Sequence, residues 1–476
     1  MTRFTNPRIL TATAFASLAL ASCAVGPKAP GATLPPSASG AFVSATSAMT
    51  AEAARDDWWR LYDDPTLDAL IRQALTENNE LEAAAANLRR VRAALGEARV
   101  GRLPSTSVNA AGQYGRASAA TVPGGNGGQP LDEGETYDVG LDVAYEIDLF
   151  GRVGSSIRAA RADADSAAAA LDVVRVSVAA ETARAYADAC SANAQIAVAE
   201  RTIELQSDTA NLTQRLLEAG SGNGLDTARA RSALETSRAG LPPLRAQRDG
   251  ALFRLATLTG RTPAETSDAA RACQRPPQLT RPIPIGDGAQ LLARRPDVRR
   301  AERNLAAAAA RVNVATADLF PRVTLGGSLG STALDAGDLS SDSSLRFSVG
   351  PLISWSFPNV FAARARIEQA SAGSDAALAT FDQTVLVALQ ETETALANYA
   401  NELDRRAALQ AARDQAATAA RLSRLRFNAG ADSFLTVLDA ERTLAGADAQ
   451  LAASDALVTT YQIALFKALA GGWSEG

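Results

Sequence analysis

The segment that decides the fold runs from Tyr137 to Asp148 and reads YDVGLDVAYEID. Its apolar and polar residues alternate with the two-residue period of a β-strand. One face is apolar with aromatic residues near both ends, and the other face carries acidic residues. A strand of about ten residues is long enough to cross a bilayer at a tilt. The segment therefore predicts a transmembrane strand, and a strand covering a soluble core is the alternative.

Three further segments show the same alternation, at residues 107–114, 323–329 and 347–357. A glycine-rich stretch from Pro123 to Pro130 separates the first two strands along the chain. A stretch rich in serine and aspartate, from Ser331 to Ser344, separates the last two. The four segments therefore predict two strand pairs with connecting loops.

Long helices surround the strands. Residues 155–219 contain neither glycine nor proline, and neither do residues 374–429. As one helix, the first of these stretches would measure roughly 100 Å. Gly220 comes directly after the first stretch and Gly430 directly after the second. At such a position glycine can adopt the left-handed conformation that ends a helix. Helical runs at 225–258 and 433–470 come next, so the sequence predicts two long helical hairpins.

The landmarks of the chain recur at an offset of 210 residues, which indicates an internal duplication. The matched positions are Tyr137 with Phe347, Tyr145 with Trp355, Gly220 with Gly430, Leu225 with Leu435 and Leu234 with Leu444. One unit consists of a helix, two strands, a long helix, a glycine turn and a helix. We expect a first repeat over residues 65–280 and a second over residues 281–476.

Four strands cannot close a barrel, yet open strand edges are not tolerated in lipid. Several chains must therefore contribute. Two chains would give eight strands and a filled interior, whereas three would give twelve strands and room for a lumen. Because the polar faces are rich in glycine and serine, we expect a trimer with an open lumen.

Composition excludes several function classes. The 476 residues include no histidine, so catalytic units and zinc sites that need histidine are absent. A net charge of −5 gives no reason to expect nucleic acid as a partner. Aromatic residues make up only 5% of the chain, which suits alanine-rich helix packing rather than several separate cores. We expect no enzyme activity and no cofactor other than a covalent lipid.

The N-terminal sequence predicts this covalent lipid. Arg3 and Arg8 precede a short apolar stretch, as in a secretion signal. The stretch ends in Leu-Ala-Ser-Cys at residues 20–23, which resembles the lipobox of bacterial lipoproteins. The resemblance implies a signal peptide at 1–22 and acylation of Cys23, and an ordinary signal peptide is the alternative. Residues 23–64 would form a lipidated leader, extended over 24–50, with folded structure beginning at Trp58.

Two cysteines remain in the mature chain, Cys190 and Cys273. An even pair in an oxidising compartment can form a disulfide. Two buried free thiols are the alternative, since sequence does not give the distance between them.

With these features in place, the chain resembles the TolC/OprM-like outer-membrane factors, in particular the NodT-type lipoproteins of RND efflux systems. The residues that carry the resemblance are the lipobox, residues 57–67, 294–302 and 317–321, and residues 426–430 leading into 434–440. It implies an α+β membrane protein, a homotrimer whose 12-stranded β-barrel, with four strands per chain, continues as a long α-helical periplasmic barrel. It also implies an outer-membrane location in a Gram-negative bacterium, with contact to outer-membrane lipid. The implied partners are a periplasmic adaptor protein and an inner-membrane RND pump.

The resemblance also points to a gate at the helix ends near the second turn. Asp439 matches the acidic residues that ring the closed aperture in family members, whereas Thr436 stands where some members carry a second acid. Asp432, in the turn, could supply another ring, and pairing to Arg442 or Arg229 would hold the gate closed. The alternative for both aspartates is a favourable interaction with the helix dipole.

The two turns are the expected adaptor contacts, through Gly220 and Leu217 in the first and Gly430, Arg426 and Phe427 in the second. We expect Arg426 and Phe427 to be exposed for packing of helix tips. Simple helix capping is the alternative.

Two other functions remain open. A conduit for type I protein secretion would have the same fold with a different partner. A structural coiled-coil lipoprotein that bridges envelope layers would have no barrel.

Overall fold

The computed structural model describes residues 26–27, 31, 33–116, 118, 132–279, 281–355 and 360–470. Ten α-helices are present in this part of the chain. They are α1 (Pro65–Glu77), α2 (Asn79–Val100), α3 (Arg152–Glu218), α4 (Gly224–Ala239), α5 (Leu241–Leu258), α6 (Asp268–Arg271), α7 (Gly288–Arg294), α8 (Pro296–Ala317), α9 (Val360–Asn428) and α10 (Phe434–Ala468). The strands are β1 (Met49–Thr50), β2 (Ser105–Gly115), β3 (Gly134–Ile147), β4 (Ile283–Pro284), β5 (Arg322–Ala333) and β6 (Leu345–Ser354).

The two long helices are longer than the sequence predicts. α3 has 67 residues and α9 has 69, because Gly154 and Gly373 are accommodated inside them. A glycine within a helix costs about 1 kcal/mol relative to alanine, which a helix packed along its length can absorb. The expected starts at 155 and 374 were therefore too late.

The first return helix is interrupted, contrary to the single run expected at 225–258. α4 ends at Ala239 and α5 begins at Leu241, with Gly240 between them. Pro242 and Pro243 open α5 and lack the N–H groups that a continuous helix would need. The second return helix, α10, has no proline and continues unbroken for 35 residues.

Four strands form one antiparallel sheet in the order β2-β3-β5-β6. All four of the expected strands are present, with slightly different bounds. Within the expected loop at 331–344, β5 continues to Ala333 and a 3-10 helix spans Ala336–Ser340. The expected loop at 123–130 and the end of the expected strand at 356–357 lie outside the described residues.

The chain divides into two compact units. One comprises the described residues within Met1–Ala32, Arg89–Ser166 and Ala301–Phe381, and it contains the four-stranded sheet. The other comprises the described residues within Thr33–Leu88, Ala167–Arg300 and Asp382–Gly476, and it contains the two helix turns. In the first unit, Leu95, Val153, Ile157 and Ala164 form a small apolar cluster.

The second unit has an aromatic core that joins the two ends of the chain. The rings of Trp58 and Phe466 are stacked with their centroids 4.8 Å apart, and both side chains are fully buried. The Tyr62 hydroxyl donates to Gln462 Oε1 at 3.2 Å, and burial raises the pKa of Tyr62 well above its usual value. The C-terminal part of α10 is therefore packed on the segment that precedes α1.

Ordered structure in the leader begins at lower residue numbers than the sequence predicts. Phe42 and Met49 are already buried, and β1 pairs in parallel with β4. The Glu393 carboxylate accepts hydrogen bonds from the backbone N–H groups of Val43 and Ser44, at 2.7 and 2.9 Å. The expectation that structure begins at Trp58 was wrong, because these contacts to distant segments do not show in the local composition.

None of the helices in the described ranges has both the length and the apolar character needed to cross a bilayer.

Candidate functional site

The sheet has one apolar face and one polar face, as its register shows. Residues that pair directly across neighbouring strands lie on the same face. Leu141 of β3 pairs with Val108 of β2 and Leu329 of β5, and Leu329 pairs with Phe347 of β6. Phe347 is 77% exposed and Val108 is 74% exposed in the single chain. An exposed apolar face of this extent indicates contact with lipid or with another protein.

The opposite face carries small and polar residues. Asp142 of β3 pairs with Ser107 of β2 and Ser328 of β5, and Ser328 pairs with Ser348 of β6. The two serine hydroxyls are hydrogen-bonded at 2.7 Å. Asn109 Nδ2 donates to Asp142 Oδ2 at 2.8 Å. This face suits contact with water, and the alternation expected for the 137–148 segment is present throughout the sheet.

Both helix turns have the same backbone geometry. Gly220 and Gly430 have φ of 72° and 74°, in the left-handed region that glycine adopts without a steric penalty. The Ser221 N–H donates to the Leu216 carbonyl at 3.0 Å, and the Ala431 N–H donates to the Arg426 carbonyl at 2.8 Å. These bonds close the helix ends as in a Schellman motif. The sequence therefore places both turns correctly.

The side chains at the turns differ in exposure. Leu217 is exposed, and so is Arg426. Phe427 is only partly exposed, since its ring packs edge-on against Phe434 with centroids 6.0 Å apart. The cluster behind these rings comprises Ala210, Ala230, Ala233, Leu234 and Leu438. The expectation of an exposed Phe427 was wrong, because the ring helps to pack the two hairpins together.

The expected gate residues lie in two different environments. Asp439 and Thr436 are exposed on α10, and no cation of the described residues lies within 4.0 Å of Asp439. Asp432 instead accepts a hydrogen bond from Arg426 Nε at 2.7 Å, and this bond raises the pKa of Arg426. Within the single chain, the charge of Asp432 is therefore partly balanced and that of Asp439 is not.

The two arginines expected to pair with the gate have no contact with it in the single chain. Arg229 lies 4.0 Å from Asp226, one turn away on α4. Arg442 is exposed and has no acidic partner within 4.0 Å in the described ranges. Neither arginine therefore offsets the charge of Asp439 in the single chain as described.

An arginine–acid ladder joins α9 to α10, and sequence analysis missed it. Its rungs are Arg406 with Asp455, Arg413 with Asp448, and Arg424 with Glu441. The acids follow one another at intervals of seven residues, and so do the first two arginines. Ala420 occupies the next arginine position, and Arg424 reaches Glu441 from one turn further along. Heptad spacing of opposite charges on two antiparallel helices was the available signal.

Glu441 also joins the two hairpins. Its side chain is 5% exposed, and it accepts from the Arg424 guanidinium and, at 3.0 Å, from the Thr209 hydroxyl of α3. A cavity of about 310 Å³ lies beside it, between α3, α9 and α10. Gln206 lines this cavity, and its buried Oε1 has no hydrogen-bond partner. Packing between the hairpins is therefore incomplete next to the buried carboxylate of Glu441, whose partner Arg424 is partly exposed.

The structure joins Cys190 and Cys273 in a disulfide, with their Cα atoms 5.1 Å apart. Asn193 Nδ2 donates to the Cys273 carbonyl at 2.7 Å and holds the segment beside the bond. Cys190 is fully buried in α3. Cys23 and the signal segment lie outside the described residues.

Known proteins resemble this chain over nearly its whole length. A family model described as "Outer membrane efflux protein" matches residues 70–261 and 288–471. The probable efflux pump outer membrane protein TtgC of Pseudomonas putida is 30% identical over 92% of this chain and 89% of its own length. Nodulation protein T of Rhizobium leguminosarum bv. viciae is 28% identical, over 97% and 93%. The solved outer-membrane channel OprN is 36% identical with a TM-score of 0.88, covering 95% of this chain and 100% of its own.

Proposed function

The chain belongs to the outer membrane efflux protein family, and we propose that three copies of it form the outer-membrane channel of a tripartite, RND-type efflux pump. Its fold is the α+β fold of the TolC-like outer-membrane channels, and its role is that of an outer-membrane efflux channel. Our proposal goes beyond family membership and this role in four respects, namely the trimer, the adaptor contact, the gate and the lipid anchor. We expect the channel to catalyse no reaction.

The four-stranded sheet supports the proposal that the protein is a trimer. β2 and β6 each have a strand partner on one side only among the described residues. Because lipid cannot satisfy free backbone groups, these two edges need partners in the membrane. Three copies joined edge to edge would give twelve strands, enough to enclose a lumen. The apolar face would then lie against lipid, and the polar face with Asp142 and Ser348 would line the lumen.

We place the adaptor contact at the two helix turns. Leu217 and Arg426 are exposed there, beside Gly220 and Gly430, and Phe427 supports the second turn from behind. An exposed apolar side chain next to an arginine is a favourable contact for another helical tip. The inner-membrane pump would act through this adaptor.

The gate would form where three second turns meet. Asp439 is exposed and has no cation within 4.0 Å in the described chain, so threefold repetition would bring three carboxylates together. Like charges at short distance repel, and Arg442 of a neighbouring copy could offset this repulsion in the closed state. Asp432 would contribute less, because Arg426 already balances it. Thr436 would line the same aperture without charge.

Acylated Cys23 would add a membrane anchor to the one that the barrel supplies. The exported compounds would be small and toxic to the cell.

A type I protein secretion conduit remains the second candidate, since it would use the same fold. The relatives include outer membrane proteins of efflux pumps, which favours the first candidate.

The decisive experiment measures the oligomeric state and conductance of the protein and identifies its binding partner. Purified protein should run as a heat-modifiable trimer on gels and should conduct ions in planar bilayers. In cells, a photo-crosslinker at Leu217 should capture a protein that mass spectrometry identifies as a periplasmic adaptor. The matched control is Leu386, which is exposed on α9 away from the turns. Capture of an adaptor of a type I secretion system would favour the second candidate, and a monomer without conductance would refute the channel.

A further inference from the structure

One arginine on the polar face of the sheet lies flat across three strands. Arg346 belongs to β6, and its partner Asp138 belongs to β3, with β5 between them. Arg346 Nη2 donates to both oxygens of Asp138 at 2.8 Å, and Nε donates to Oδ2 at 3.0 Å. Thr332 of β5 completes the group, since its hydroxyl donates to Asp138 Oδ2 at 2.6 Å and accepts from Arg346 Nε at 2.9 Å.

Glycines make room for this side chain. Arg346 pairs with Gly330, and Gly330 pairs with Gly140, so the three residues form one row across the polar face. A Cβ atom at Gly140 would lie 3.1 Å from Arg346 Nη2, and one at Gly330 would lie 3.2 Å from Arg346 Cζ. The guanidinium therefore occupies a shallow recess over two residues that have no side chains.

The exposed fractions of the two side chains agree with a position of Arg346 flat against the sheet. The side chain of Arg346 is 41% exposed and that of Asp138 is 33% exposed, although both lie on the water-facing side of the sheet. An arginine without such a partner would extend from the sheet into the space in front of it. The group lies near the end of the sheet where β5 connects to β6.

From this geometry we propose that Asp138 holds Arg346 against the barrel wall, so that this pair adds no net charge to the loop-side end of the lumen and leaves it wide. The inference rests on the proposed function, in which the polar face lines the lumen of a trimer. Each chain contributes one positive and one negative charge, and these cancel at short range. If the carboxylate is lost, three guanidinium groups are free to leave their recesses and extend into the pathway.

The pair is therefore a determinant of which charged compounds pass. Loss of Asp138 leaves three uncompensated cations, which narrow the lumen and favour anions. Loss of Arg346 leaves three carboxylates recessed in the wall, which favour cations without narrowing the lumen. Loss of both residues restores the net charge of the unsubstituted lumen.

The test is ion selectivity in planar bilayers at about 0.01 M salt, where the Debye length is about 30 Å and charges on the lumen wall are only weakly screened. We expect Asp138→Asn to lower single-channel conductance and to shift the reversal potential in a salt gradient towards anion preference. Arg346→Gln should shift it towards cation preference with no loss of conductance. The double variant should return close to the unsubstituted protein. Heat-modifiable migration on gels shows that each variant still forms the trimer.

A pair of alanine substitutions tests the recess itself. Gly140→Ala should shift the selectivity in the same direction as Asp138→Asn, by a smaller amount, because the new methyl group lifts the guanidinium. Gly350→Ala is the matched control on the same face, since a Cβ there has no atom within 4 Å. The recess is refuted if these two variants behave alike.

The larger inference fails if both single variants form trimers with unchanged selectivity and conductance. That result would leave the pair as a link between strands. Absence of any conductance from the unsubstituted trimer would instead refute the proposed function, so the two failures are distinguishable.

Discussion

Removing the disulfide between Cys190 and Cys273 should measurably lower the stability of the folded protein. The bond closes a loop with a sequence separation of 83 residues. In the loop-entropy description, a loop of that size corresponds to about 4.5 kcal/mol of stabilisation at 25 °C. The variant Cys190→Ala/Cys273→Ala loses this restraint while adding no polar group to the buried site.

That free energy converts into an expected temperature shift. At about 2.1 cal/mol/K per residue, unfolding of the whole chain carries an entropy of roughly 1 kcal/mol/K. A loss of about 4.5 kcal/mol then lowers the midpoint of thermal unfolding by about 5 °C.

The assay is thermal unfolding of detergent-purified protein, followed by circular dichroism, with and without reductant. Reductant should lower the midpoint of the unsubstituted protein to that of the double alanine variant, and it should not affect the variant. Alkylation followed by mass spectrometry reports the bond directly. Two alkylated cysteines in the non-reduced protein, or equal midpoints for all four samples, would refute the reasoning.

Three further variants test the gate, the link between hairpins and the anchor. Asp439→Ala combined with Asp432→Ala should raise single-channel conductance by removing the negative ring, and unchanged conductance would reject the gate. Glu441→Gln should weaken the contact between hairpins by about 1–3 kcal/mol and raise the fraction of time the channel is open. Asp404→Asn, an exposed change on α9 outside the ladder, serves as its control, and equal opening in the two variants would show that Glu441 does not hold the gate. Cys23→Ser should abolish incorporation of labelled palmitate and leave trimer assembly intact, whereas continued labelling would contradict the assignment of the lipobox.

Features with local causes could be predicted from the sequence. The turns at Gly220 and Gly430 follow from a long run without glycine that ends at a residue able to adopt positive φ. The strands follow from two-residue alternation, which depends only on neighbouring positions. The break at Gly240 also has a local cause, since Pro242 and Pro243 prevent a continuous helix, and the expectation of a single run over 225–258 was wrong for that reason.

Features that depend on distant contacts could not be predicted. Asp138 and Arg346 are 208 residues apart, and they meet only because β5 lies between β3 and β6. The leader appeared extended because its composition is rich in alanine, proline, serine and glycine, whereas Glu393, about 350 residues away, fixes its backbone. Glu441 is an intermediate case, because heptad spacing indicates its pairing with Arg424 but not its contact with Thr209 on α3.

The stacked rings of Trp58 and Phe466 also bear on how the protein is made. The two residues are 408 positions apart (466 − 58), so the aromatic core stays incomplete until nearly the whole chain has been secreted. During export, Trp58 and its neighbours would be exposed to the periplasm without their partner, as a surface that invites aggregation or a chaperone. Contacts of such long range also slow folding, because a large loop must close before they form. Although the sequence pattern indicates a duplication, we therefore expect neither half to fold alone. Folding would have to wait for α10, and a truncation within α10 should make the chain a substrate for periplasmic proteases.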